Sequence, residues 1–521
     1  MANPILSAVA RFARLSPEAR AVEGEQLRLS YAALQREIQQ LAALLTRPLT
    51  QQGHRTLGLL MDNDPAWVVT DLAAQAAGLS LVPLPAFFSD AQLQHAIRDA
   101  GIQAVVSSDT ALIAARLPQA RVRPLGRVAG RNTWLAVLDP AATQQRPGVP
   151  PPVAPGVDPG VTRITYTSGT TGSPKGVCLS QANMAQVADS LSRVIQVGPQ
   201  DHHLCLLPLA VLLENIGGVY VPLLSGASCS VPGLARVGVS GATGLDAKRM
   251  LHAIADSGAT TIILLPQMLQ ALVDQLEAGA PRPAQLRFIA VGGAPISRRL
   301  LSRAQALGLP VFEGYGLSEC ASVVAVNTPG QSRLGSVGKP LPHIRLQFSP
   351  EGEILIQGNL FQGYLNHAAP QGRWYASGDL GHLDEDGYLY LTGRKKNCFI
   401  TSFGRNVAPE WVEKELTASA VIDQAVVFGE ARPFNVALIS ADADTAEIEA
   451  AIGQANQQLP DYARVGAWLR ATAPFSPDNH QLTANGRPRR EVIARVYGDR
   501  IEALYLAAGQ AVPARSQHVI L

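Results

Sequence analysis

From residue 57 onward the chain alternates short apolar runs with helical patterns, and this alternation limits the possible folds more than any other feature. An apolar run at 57–61 is followed by a helical stretch over 65–77, then by apolar 81–84, a second helical stretch over 90–100 and apolar 104–107. Short strands that alternate with helices imply a parallel α/β layer structure. A Pro-rich stretch, 146–159, interrupts the pattern and reads as a linker or surface loop. The alternation then resumes: 261–265 precedes a helical stretch, 288–291 precedes the turn Gly292-Gly293-Ala294-Pro295, and Val311-Phe312 precedes Glu313-Gly314-Tyr315.

Between 335 and 392 the texture changes to short β-like runs punctuated by Gly and Pro, such as 353–357 and 387–391, which predict a small β-rich module. From about Asn397 a helix at Pro409–Leu416, strands at 424–428 and 436–440, and a last helix after Pro488 predict a small α+β terminal domain. At 521 residues the chain is too long for one core.

Composition narrows the functional classes. With 47% hydrophobic and 16% charged residues, the chain is a well-buried globular protein rather than a disordered one. Its 43 basic and 41 acidic side chains leave a net charge of +2, too little to draw nucleic acid or an anionic membrane to the whole molecule. Lysines are few (175, 248, 339, 395, 396 and 414), so arginine carries most of the positive charge. Five widely spaced cysteines, with no C-x-x-C pair, indicate neither a disulfide framework nor a zinc site. The start of the chain reads as a short amphipathic helix rather than a signal peptide. The most apolar region, 204–224, is broken by Pro208, Glu214, Asn215, Gly217, Gly218 and Pro222, so no integral membrane segment is expected. The expected location is cytoplasmic.

The strongest local signal follows the apolar run 161–164: Tyr166-Thr167-Ser168-Gly169-Thr170-Thr171-Gly172-Ser173-Pro174-Lys175-Gly176. Glycines and small hydroxyl residues let N–H and O–H groups close around an anion, and a lysine adds a point charge. Lys175 stands between Pro174 and Gly176, so this is not the G-x-x-x-x-G-K-[ST] loop. Nucleophile-elbow, H-E-x-x-H and dinucleotide fingerprints are missing from the sequence.

This segment resembles the phosphate loop of the adenylate-forming superfamily, which holds AMP-forming acyl-CoA synthetases, peptide-synthetase adenylation domains and luciferases. Further motifs similar to that family's follow in order over about 29–505. Gly292-Gly293-Ala294-Pro295 resembles the turn on the adenine side, where small residues permit backbone approach. In Glu313-Gly314-Tyr315-Gly316-Leu317-Ser318-Glu319 the resemblance implies that Tyr315 stacks on adenine, Ser318 faces phosphate and Glu319 holds Mg²⁺. In Tyr375-Ala376-Ser377-Gly378-Asp379 it implies that Asp379 accepts the ribose hydroxyls. In Gly393-Arg394-Lys395-Lys396-Asn397 it implies that Arg394 reaches the nucleotide and Asn397 is the hinge between domains, whereas Lys395 and Lys396 read as a solvated pair. The segment 402–413, with Gly404, resembles the lining of a thiol-acceptor tunnel.

Two departures from the family pattern matter. The family's C-terminal lysine is replaced by Arg487 in Asn485-Gly486-Arg487-Pro488, which exchanges a compact ammonium for a planar fork. Arg487 can do the same electrostatic work, can stand for a tolerated drift towards arginine, or can mark a nucleotide-binding protein with impaired catalysis. In the segment 207–215, Val211 stands where a histidine or aromatic is common; with Asn215 and Gly292, and with Gly217 and Gly218 adding space nearby, it is expected to wall an apolar acyl pocket. Glu214 is expected on a helix face, and the pair His202 and His203 at the surface or a strand edge.

The resemblance therefore implies an α/β fold. Residues 1–396 would hold two layered α/β subdomains and a small β-barrel-like module, and 397–521 a small mobile α+β lid. It implies ATP, Mg²⁺ and coenzyme A as cofactors and a fatty acid of medium or long chain as substrate. Lys175, Glu319 and Arg487 are the expected catalytic residues. An acyl carrier protein is the alternative thiol acceptor.

Overall fold

The structure is a computed structural model that describes residues 3–46, 55–138, 160–167, 174–241, 244–294, 296, 298–368, 372–402, 406–483 and 486–510. The Pro-rich stretch 146–159 lies outside the described residues.

Two large sheets carry the site. In the first, Val311–Leu317, Phe288–Val291, Thr261–Leu264, His202–Leu204 and Ser228–Ser230 run parallel side by side. The carboxyl ends of the central strands therefore open at one edge, and the turn at Gly292 and the segment around Tyr315 emerge there together. In the second, Thr56–Leu59 lies between Ser80–Pro83 and Ala104–Ser107, all parallel, as the alternation from residue 57 predicts. That sheet continues into an antiparallel hairpin of Val161–Thr167 with Lys175–Ser180, in which Thr167 pairs with Lys175. The phosphate motif thus starts and ends in paired strands, and residues 168–173 between them lie outside the described residues.

The helix Pro65–Ala76 begins as its sequence predicts. Asp64 Oδ1 accepts from the Ala66 N–H at 2.9 Å, and Pro65 occupies the first turn. Residues 65–74 are all buried, as expected of a helix apolar all round. Within this core Arg163 and Asp71, 1% and 0% exposed, form an ion pair at 2.5 Å. Tyr220 Oη donates to Asp71 at 2.7 Å and Asn215 Nδ2 at 3.2 Å. The network ties the strand that leads into the phosphate turn to the π-helix Asn215–Tyr220.

The β-rich module is an antiparallel sheet of Arg345–Phe348, Glu353–Gln357, Tyr375–Leu383 and Leu389–Arg394. The last part packs Gln424–Phe428, Asn435–Ser440 and Val465–Arg470 with the helices Pro409–Leu416, Thr445–Gln457 and Arg490–Gln510. Its apolar residues form clusters of their own, such as Val412, Leu416, Val427, Ile439 and Ile448, and Val436, Leu438, Ile493 and Tyr497. No helix among the described residues is long and apolar enough to cross a membrane.

Candidate active site

A cavity of about 1090 Å³ opens between the carboxyl edge of the first sheet, the hairpin, the β module and residues 486–487 of the last part. One end is charged. Lys175, Arg394, Lys395, Lys396 and Arg487 line it, with Glu319 and Glu353 among them. The other end is walled by apolar side chains such as Leu191, Val211, Leu213, Val221, Ile263 and Met268.

At the charged end the residues hold one another in place. The Glu319 carboxylate accepts from Tyr364 Oη at 2.6 Å, and Lys175 Nζ lies 5.2 Å from the centre of the same ring. Glu319 sits on a turn, Ser318–Cys320, followed by Ala321 and Ser322 at φ +54° and +97°. Such backbone angles are strained for residues with a Cβ and cluster at functional sites. Gly316 just before the turn is obligatory, because a Cβ there would lie 1.6 Å from the Ser322 carbonyl oxygen. Asp379, buried, accepts from Tyr315 Oη and from Arg394 Nε, each at 2.7 Å. Burial works against the Arg394 charge, but Asp379 overrides it and holds the guanidinium pKa above its ordinary value.

Arg487 Nη2 donates to the Gly293 carbonyl at 3.2 Å, across 194 residues of sequence. Its side chain is reached by solvent through the cavity, yet dense protein surrounds it. That burial and the neighbouring Arg394 lower its pKa, while Asp379, Glu410 and Glu319 oppose the shift. An arginine does not give up its proton, so Arg487 stays charged here beside Arg394. Burial, then Arg394 and Lys175, lower the Lys396 pKa in the same way. A polyanion is what such a cluster lacks.

The predicted residues fall into three groups. Thr167, Lys175, Gly293, Ala294, Gly314, Tyr315, Ser318, Glu319, Arg394 and Arg487 come together on the cavity. Ser168, Gly169, Thr170, Thr171, Gly172, Pro295 and Gly404 lie outside the described residues. Of the remaining nucleotide-site and hinge residues, Asp379, Asn397 and Glu313 stand back from it. Asp379 lies behind Tyr315 and Arg394, and Asn397 is hydrogen-bonded through its amide to Glu410. Glu313 does not line the cavity; burial pushes its carboxyl pKa up to about 7, with Lys414 and Arg298 opposing, and its Oε2 has no partner. Lys395 and Lys396 are exposed, as expected of a solvated pair, but both border the cavity and Lys395 pairs with Glu353 at 2.8 Å.

The acyl-pocket expectation needs correction. Val211 and Gly292 line the apolar end, whereas Asn215 is turned to Asp71 and Gly218 packs against Glu214 and His203; of the two glycines expected to add space, Gly217 lines it. His202 and His203 are not surface residues, since each is 3% exposed. His202 lies within 2.8 Å of the hydroxyls of Ser228 and Ser230, and His203 lies between Thr261 and Glu214. Glu214 does sit on a short helix, Leu212–Glu214, but is fully buried there. Sequence reasoning also missed Arg163 and Asp71, although a charge inside an apolar strand and another inside an apolar helix are signals of a buried pair.

Residues 9–365 match the AMP-binding enzyme family, and 396–509 match the AMP-binding enzyme C-terminal domain. The chain belongs to the AMP-binding enzyme family, and with it to the adenylate-forming class of enzymes. It is similar to the long-chain-fatty-acid–CoA ligase FadD15 of Mycobacterium tuberculosis, 28% identical over 84% of this chain and 86% of that protein. Feruloyl-CoA synthase of Amycolatopsis sp is 29% identical over 81% of this chain and 85% of that one. The fold matches the o-succinylbenzoate CoA synthetase MenE of Bacillus subtilis, solved with its acyl-adenylate intermediate OSB-AMP, at a TM-score of 0.74. That match has 22% identity and covers 94% of this chain and 97% of that one.

Proposed function

We propose that this enzyme activates an aliphatic carboxylic acid of medium or long chain as its acyl-AMP and passes the acyl group to coenzyme A. The observation that carries this reading is the single cavity with a cationic end, Lys175, Arg394, Lys396 and Arg487, and an apolar end walled by Val211, Leu213 and Ile263. In the first half-reaction a substrate carboxylate attacks the α-phosphorus of ATP and pyrophosphate leaves. Two like unit charges 4 Å apart repel by about 4 kcal/mol at an effective dielectric suited to a protein surface, so fixed positive charge is the main requirement. Lys175 and Arg487, both on the cavity, supply it. Glu319 would hold Mg²⁺, whose chemistry is to neutralise phosphate charge, and a carboxylate bordering the cavity beside a phosphate turn suits that hard cation.

The contact of Arg487 with Gly293 supports its reading as the substitute for the family's lysine, since it brings the guanidinium to the turn on the nucleotide side. For the second half-reaction the part after residue 396 would turn about Asn397 and carry Arg487 away, which lets a thiol reach the acyl-AMP carbonyl. FadD15 and feruloyl-CoA synthase both use coenzyme A by name, which favours it over a carrier protein. The apolar lining favours an aliphatic chain over the aryl acids named for some relatives.

The test is acid-dependent pyrophosphate release from ATP over a panel of aliphatic and aryl acids, with and without coenzyme A. Release that peaks at one aliphatic length and rises with coenzyme A supports the proposal. ATP binding without release for any acid refutes it and favours a binding protein disabled at Arg487.

A further inference from the structure

The apolar end of the cavity has a polar floor. The parallel ladder sets its depth: His203 pairs with Thr261 and Thr261 with Phe288 in one cross-strand row, and Ile263 pairs with Ala290 two residues further on. Leu265 and Gly292 follow at the carboxyl edge, and every one of these residues lines the cavity. At about 3.3 Å per residue, Thr261 lies about 13 Å below Leu265, and so below the edge where the nucleotide-facing turn begins. The row containing Thr261 is therefore the deepest of these strand rows in an acyl channel whose near end meets the phosphate-binding groups.

A fixed hydrogen-bonding chain stands there. His203 Nδ1 is 2.9 Å from Thr261 Oγ1, and His203 Nε2 is 3.0 Å from Glu214 Oε1. Both ring nitrogens are thus committed, and Glu214 Oε2 has no partner. Thr261 Oγ1 keeps spare capacity either way: two lone pairs if it donates to the ring, or its O–H and a lone pair if it accepts. A purely apolar chain end would leave that capacity unmet in a place shielded from bulk water, which a channel built only for methyl-ended chains has no reason to contain.

We propose that Thr261, oriented by His203 and Glu214, is a specificity determinant that receives a hydroxyl carried at the end of the acid remote from its carboxylate. The proposal rests on the acid-activation reading above and names the substrate class more closely as ω-hydroxylated aliphatic acids. Thr261 touches the substrate; His203 and Glu214 are positioning residues that act through it.

The experiment compares kcat/KM for pyrophosphate release over a graded series of ω-hydroxy acids and the methyl-terminated acids of equal length, in wild type, Thr261→Val and Thr261→Ser. At the length that reaches the floor, wild type should prefer the hydroxy acid by about tenfold or more. Thr261→Val keeps the side-chain shape and should abolish the preference through KM for the acid, with KM for ATP unchanged; Thr261→Ser, which keeps the hydroxyl, should retain it. A wild type that favours methyl-terminated acids at every length overturns the proposal, as does an unchanged preference in Thr261→Val. If no acid releases pyrophosphate, the acid-activation reading itself fails. Calorimetric binding of the same paired acids then decides the floor separately, equal affinities overturning it.

Discussion

Replacing Glu313 with glutamine should remove a pH dependence from the stability of this protein, and the size of the effect follows from its surroundings. Glu313 lies on the strand Val311–Leu317, 7% exposed, with one carboxylate oxygen unpartnered. Burial raises its pKa from 4.5 to about 7, while Lys414 and Arg298 pull it down. Because the folded-state pKa is the higher one, the folded chain binds more protons than the unfolded chain between these values. Stability is therefore fully present below about pH 4.5 and is lost as pH rises through about 7. A shift of about 2.5 units corresponds to about 3 kcal/mol. Glutamine has the same shape and no charge to bury. Glu313→Gln should match wild type within about 1 kcal/mol near pH 5 and exceed it by about 3 kcal/mol near pH 8. Urea unfolding across this range measures the difference. Parallel stability curves for the two proteins would show that Glu313 keeps a normal pKa and refute the reasoning. Lys414 comes from the helix Pro409–Leu416 after the proposed hinge, so Lys414→Ala should move the midpoint of the wild-type transition upward.

Three further outcomes are expected. Arg487→Ala should slow single-turnover adenylation by about a hundredfold or more while thioester formation from supplied acyl-AMP continues, and Arg487→Lys should recover much of the loss; equal adenylation by wild type and Arg487→Ala removes Arg487 from the mechanism. Asp71→Asn leaves Arg163 buried without its counter-charge and should cost about 3–5 kcal/mol in urea unfolding; a loss below about 1 kcal/mol would mean that the pair adds little. Gly217→Val should shift acid preference to shorter chains with KM for ATP unaltered, since even a Cβ there would lie 2.7 Å from Ile263 Cδ1; an unchanged chain-length profile would place Gly217 away from the substrate.

Much of this protein was legible in its residues because it is encoded over short stretches. The runs at 57–61 and 104–107 needed only their own composition and punctuation to read as strands, and Pro65 and Asp64 mark their helix within four residues. The segment from Glu313 to Glu319 declares its family together with the other motifs that flank it in order. Its orientation was less visible: the segment is itself a strand and a strained turn, which brings Tyr315, Ser318 and Glu319 to the cavity while Glu313 stays off it.

Groups distant in sequence were decided only by tertiary structure. His202 and His203 read as a surface pair because adjacent polar residues usually are, yet the register with Ser228–Ser230 and Thr261–Leu264 buries both among hydroxyls. Asn215 and Gly218 belong to the expected acyl segment, but a π-helix sets which of its residues face the channel, and it presents Gly217. The partner of Arg163 lies 92 residues away, and that of Arg487 lies 194 residues away. Sequence by itself determined the order of elements and the chemistry on offer, because periodicity, turns and motifs act between near neighbours in the chain. Folding decided which charges meet, which polar groups are sealed from water and where the acyl channel ends, because sheet register and packing join residues that no local pattern relates.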